Sequence, residues 1–100
     1  MSALVRERAE ITITAGKHAE FEAAAAQGLK IVAEQRGFRS ATLSRGVENL
    51  NTYLLLVEWD SVADHTEGFV GSPDFARWRA LVGPYYAAPP TVHHYTHVRW

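Results

Sequence analysis

The chain has 100 residues, 47% of them hydrophobic and 21% charged, with a formal net charge of −1, which suits one domain over residues 1–100 with a single core. The near-balance of 10 basic and 11 acidic residues argues against a nucleic-acid partner, and the lack of cysteine excludes disulfides, thiolate nucleophiles and cysteine-bound zinc or iron–sulfur sites. The longest apolar runs, such as Leu54–Val57, fall far short of the roughly 20 residues of a membrane span, and Met1–Glu7 lacks signal-peptide order, so no membrane partner and a cytoplasmic location are expected.

The first strand is expected over Glu7–Thr14, where Ala9, Ile11 and Ile13 alternate with Glu10, Thr12 and Thr14. Gly16 ends it. A helix over Lys17–Arg36 follows, with Phe21, Ala25, Gly28, Leu29 and Val32 on one face and Gly37 at its left-handed end. The run Ala23–Ala26 is a helix signal, not low complexity. Phe38–Val47 and Thr52–Trp59 read as a hairpin turning at Asn49 and Asn51, and the Leu54–Val57 run predicts burial on both faces. Ser61 with Asp64 resembles a capping box opening a short helix to about Val70. Ser72-Pro73-Asp74 starts the next helix, which Gly83-Pro84 ends. Tyr85–Pro90 is a loop, and Thr91–Val98 alternates as a fourth strand.

The order β-α-β-β-α-β predicts an α+β, ferredoxin-like fold: one antiparallel sheet with helices on one face. The other face needs a cover. A second copy is the simplest one, so a homodimer is expected. An RNA-binding sheet of this topology is set aside, because the central strands lack aromatics flanked by basic residues.

The segment Val57-Glu58-Trp59-Asp60-Ser61, then Asp64-His65, Phe69, Ser72-Pro73-Asp74-Phe75 and Trp78, resembles the antibiotic biosynthesis monooxygenase family. Gly37-Phe38 and Pro90-Thr91-Val92 before His94-Tyr95 extend the resemblance over residues 7–98. It implies a dimeric α/β barrel and an oxidoreductase that oxygenates phenolic, quinol or polyketide-like aromatics with O2. It also implies no cofactor and no metal, since the substrate itself is the reductant. Such a protein holds the ring, takes a proton, stabilises an oxyanion and excludes water.

The family's aromatic polyketide oxygenases carry a Trp at the end of the third strand, and Trp59 matches it. Six residues later they carry a Tyr, where this chain has His65; an Arg on the next helix corresponds to Arg79. Four residues before the Trp they carry an Asn, where this chain has Leu55, so the amide that would orient substrate or peroxide is gone. The haem-degrading branch needs an iron-ligating His at the position of Arg79 and a Trp at that of Phe69. A guanidinium cannot ligate iron, which argues against that activity.

The expected catalytic set is His65 as general base, Arg79 as anion stabiliser and His94 as a second polar group. Parity puts His94 on the inner face with Val92, within approach of His65, and puts His93 and His97 on the other face with Tyr95. Spacing and the lack of a carboxylate partner argue against a histidine metal site. The expected substrate-binding set is Trp59, Phe69, Tyr53 and Leu55, with Tyr53 sharing the parity of Leu55 and Trp59. Phe75 and Trp78 read as core, Tyr85 and Tyr86 as a loop able to act as a lid, and His18 as surface. The opposing reading is a non-catalytic ligand-binding module with the same barrel, motivated by Leu55. Gly68-Phe69-Val70-Gly71 follows a helix, not a strand, and so is no dinucleotide loop.

Overall fold

The computed structural model describes residues 4–100. Strand β1 (Val5–Thr12) leads to helix α1 (His18–Ala33), then to the hairpin of β2 (Phe38–Arg45) and β3 (Thr52–Trp59). A π-helical turn (Asp64–Phe69), helix α2 (Pro73–Val82), a short 3₁₀ turn (Gly83–Tyr85) and β4 (Thr91–Thr96) complete the order. The four strands form one antiparallel sheet in the order β2-β3-β1-β4, the ferredoxin-like arrangement.

One register fixes the faces. β1 pairs Glu7 with Val57 of β3 and with His94 of β4, and Ala9 with Leu55 and Val92. Glu7, Ala9 and Ile11 therefore share the inner face with Tyr53, Leu55, Val57 and Trp59, all buried under the helices. Leu54 and Leu56 point the other way and are half-buried, so the double burial expected of their run is not met within this chain. Both stand on the outer face beside Arg6, Arg8, Glu10 and Tyr95.

Helix α1 buries Phe21, Ala25, Gly28 and Val32 of the predicted stripe, with Ile31 buried as well and Leu29 only half-buried. Gly28 is a packing requirement. A Cβ there would meet Trp78 Cε3 at 2.5 Å and Cζ3 at 2.7 Å, so the indole of α2 lies directly on the α1 backbone. Gly37, at φ +84°, takes the left-handed position after α1, and its N-terminal neighbours 34–36 lie outside the helix.

Several boundaries differ from expectation. β1 starts at Val5 and ends at Thr12, with Ile13 bridging Tyr86 instead. β2 stops at Arg45, and Gly46 N–H donates to Thr52 O (2.7 Å) at the start of the turn. β4 ends at Thr96. Ser61 does cap: its hydroxyl accepts the Asp64 N–H at 3.1 Å. The Ser72 hydroxyl does not cap α2; it donates back to Phe69 O at 2.7 Å, leaving Pro73 at the first helical position.

Candidate active site

Between the inner sheet face and the helices lies a cavity of about 200 Å³. Glu7, Ala9, Ile11 and Leu55 line it from the sheet, and Val32, Phe69, Phe75 and Trp78 from the helical side. His65, Val70, Arg79, Tyr86, Pro90 and Val92 complete the lining. The walls are mainly apolar, with four polar side chains converging: Glu7, His65, Arg79 and Tyr86.

The π turn orients His65. Val70 N–H donates to His65 O at 2.9 Å, one residue beyond α-helical spacing, and both His65 and Phe69 are buried. The imidazole stacks on Trp59, with ring centroids 5.4 Å apart. Its Nδ1 lies 2.8 Å from His94 Nε2 in a hydrogen bond, and its Nε2 lies 3.3 Å from Glu7 Oε1. Trp59 Nε1–H donates to the same Glu7 oxygen at 3.0 Å. The approach of His94 to His65 is the one that β4 parity predicts. His94 is half-buried on the edge strand, so this chain of groups runs from the cavity towards solvent.

Burial dominates the electrostatics. It raises the Glu7 pKa, with the Trp59 N–H pulling the other way. It lowers that of His65 to about 4, with His94 adding to the effect. Each group is thus disfavoured as an ion. Burial also lowers His94, helped by His93, and pushes the Tyr86 hydroxyl up to about 12 against the pull of Arg79. Arg79 itself is exposed, and its guanidinium carbon lies 5.9 Å from the Phe75 ring centroid.

Of the residues singled out in the sequence, His65, Arg79, Phe69 and Leu55 line the cavity, and His94 stands directly behind His65. Phe75 and Trp78, expected as core only, also line it. Trp59 is fully buried behind His65 and reaches the cavity only through its neighbours. Tyr53 has the inner parity but sits at the opposite end of β3. Its hydroxyl donates to Glu22 Oε2 at 2.6 Å, where Arg45 also bonds. His18 is half-buried, with Nε2 2.6 Å from Leu50 O. Glu7 was not singled out, although the period that places Ala9, Ile11 and Ile13 inward includes it. Among the described residues, no three His, Cys, Asp or Glu side chains converge to hold a metal ion, and no helix is long and apolar enough to cross a membrane.

A family model for antibiotic biosynthesis monooxygenases matches residues 4–81. The chain belongs to that family. It is 42% identical over 95 residues to the uncharacterized protein YczJ of Bacillus subtilis (strain 168), covering 95% of this chain and all of that one. The crystal structure of a Bordetella bronchiseptica protein assigned as an antibiotic biosynthesis monooxygenase superposes with a TM-score of 0.94 at 38% identity, covering 97% and 99% of the two chains. SnoaB, a cofactor-independent oxygenase from Streptomyces nogalater, has a TM-score of 0.76 at 22% identity, covering 99% and 95%. At that identity the likeness to SnoaB is one of fold.

Proposed function

We propose that this antibiotic biosynthesis monooxygenase family member is a cofactor-independent monooxygenase that oxidises a phenolic, quinol or polyketide-like aromatic with O2. One observation carries the reading: an apolar, ring-sized cavity in which proton-handling groups and a guanidinium converge. An apolar cavity of about 150 Å³ admits benzene, so about 200 Å³ suits one or two fused rings. The chemistry is an anion oxidation. The substrate loses a proton, its anion passes one electron to O2, and the radical pair combines to a peroxide. The peroxide anion takes the proton back, and loss of water from the hydroperoxide leaves a carbonyl, so a CH2 group and O2 become C=O and H2O.

The His65–His94 pair handles the proton, and Arg79 faces the anion that its loss creates. Phe69 and Leu55 bracket the ring, and Trp59 fixes the His65 plane from behind. The chain works as a cytoplasmic homodimer, with a second copy over the outer sheet face that carries Leu54, Leu56 and Tyr95.

Oxygen uptake by metal-free protein against quinols, anthrones and catechols tests this reading. Uptake above autoxidation, lost in a His65→Ala/Arg79→Ala variant, is the expected result. The alternative is a non-catalytic ring-binding module, favoured by Leu55, which lines the cavity without a polar atom. Tight aromatic binding with no uptake across the panel would select that alternative.

A further inference from the structure

We infer that Glu7, and not either histidine, is the group that meets the acidic proton of the bound ring, and that His65 and His94 form the path by which this proton reaches water. The inference rests on the proposed handling of an acidic aromatic and deepens it. Its ground is the occupancy of each polar atom. Of the His65 ring nitrogens, Nδ1 is hydrogen-bonded to His94 and Nε2 lies 3.3 Å from Glu7 Oε1. His94 does not line the cavity. Glu7 does, and a single oxygen, Oε1, takes both the Trp59 N–H and the His65 contact. Its second oxygen takes no hydrogen bond, and the strand that carries it, β1, lies inside the sheet.

Four titratable or charged groups surround this carboxylate. His94 adjoins it across the β1–β4 pair, His65 covers it from the π turn, and Arg79 and Tyr86 share its cavity from α2 and the following loop. A phenol or enol O–H gives its proton to Glu7 Oε2, leaving the ring as its anion. A half-turn of the neutral carboxyl brings that hydrogen to His65 Nε2, and the other oxygen takes over the Trp59 N–H. As Nε2 gains the proton, Nδ1–H passes its own to His94 Nε2, and His94 releases one from Nδ1 to water. The carboxylate is restored, and the net change is one proton moved from substrate to solvent. Arg79 remains beside the ring anion.

The probe is 4-nitrophenol, which is a phenolate at about pH 8. Calorimetry in buffers of different ionisation enthalpy counts the protons taken up on binding. The wild-type protein is expected to take up about one, shared between the phenol oxygen and Glu7. Glu7→Gln, which keeps an acceptor for Trp59, is expected to take up none, whereas His65→Gln and His94→Gln still take up about one. With an anthrone, Glu7→Gln is expected to lose about 100-fold or more in kcat. His94→Gln is expected to lose about tenfold, regained with imidazole buffer.

No uptake by the wild-type protein overturns the inference, and this arm needs no variant to fold. Uptake lost in His65→Gln overturns it equally. If the Glu7-dependent uptake is found but no quinol, anthrone or catechol draws oxygen, the oxygenase reading falls and the assignment of Glu7 stands.

Discussion

Replacing Gly28 with alanine probes the link between helix packing and the cavity. By helix propensity alone the change stabilises by up to ~1 kcal/mol, because alanine loses less backbone freedom. The structure opposes this gain. The new methyl carbon would lie 2.5 and 2.7 Å from two carbons of the Trp78 six-membered ring, far inside van der Waals contact. The indole is a rigid plane, 7% exposed, so the strain is relieved only by moving the whole ring. The open direction is the cavity that Trp78 lines. Overpacking of this kind costs about 1–3 kcal/mol, and two contacts this short place it in the upper half of that range, so it outweighs the propensity gain by about 1–2 kcal/mol. For a chain of this size that lowers Tm by about 5–15 °C. Ring binding should fall as well, because Trp78 swings into space that a ligand would occupy. Thermal unfolding by circular dichroism and titration with 4-nitrophenol read the two effects. A Gly28→Ala protein with the wild-type Tm and undiminished nitrophenol affinity would refute the reasoning.

Tyr53→Phe removes the donor that does most to hold the Glu22 carboxyl below its ordinary range, so Glu22 should titrate higher by NMR and stability should drop by about 1 kcal/mol in urea. Arg79→Gln should weaken nitrophenolate binding by about three- to tenfold and spare a neutral phenol; equal weakening of both would show that the guanidinium does not read charge. His65 should titrate near 4 by NMR, and a value near 6.5 would contradict its burial. Because its folded value lies below its unfolded one, the stability it contributes is full above about pH 6.5 and is lost as pH falls towards 4, by up to about 3 kcal/mol. Glu7, raised by burial, has the opposite slope, with stability lost as pH rises above 4.5, so the two partly cancel. Denaturation of Glu7→Gln across that range should therefore show a steeper acid limb than the wild-type protein.

The period-2 and period-3.6 patterns carry the element order, the inner face of β3 and the approach of His94 to His65, because sheet and helix geometry translate directly into sequence spacing. They fail where geometry has a second coordinate. Tyr53 shares a face with Trp59, but six strand residues separate them by about 20 Å, so parity alone misjudges which end of the sheet it serves. Glu7 fits the inner period, but a carboxylate at a strand end looks like a solvated start. Its burial depends on Trp59 and His65, which arrive 52 and 58 residues later. The Ser72 hydroxyl chose a carbonyl over a cap, a local competition that spacing does not reveal. The π winding after Ala63 leaves no trace in a pattern read at 3.6 residues per turn.

That winding makes the active-site face sensitive to chain length. Each residue in an α-helix advances about 100° around the axis. Removing Gly68 would leave His65 and Phe69 three residues apart at ordinary helical spacing, about 60° from each other around the axis, and would shift His65 relative to His94. The change in the His65–His94 contact would be read from the imidazole resonances of both residues by NMR. A single codon lost from this turn would thus alter the His65–His94 contact while keeping the sheet and both long helices. The geometry of the candidate site and the architecture of the fold are separable here by one residue.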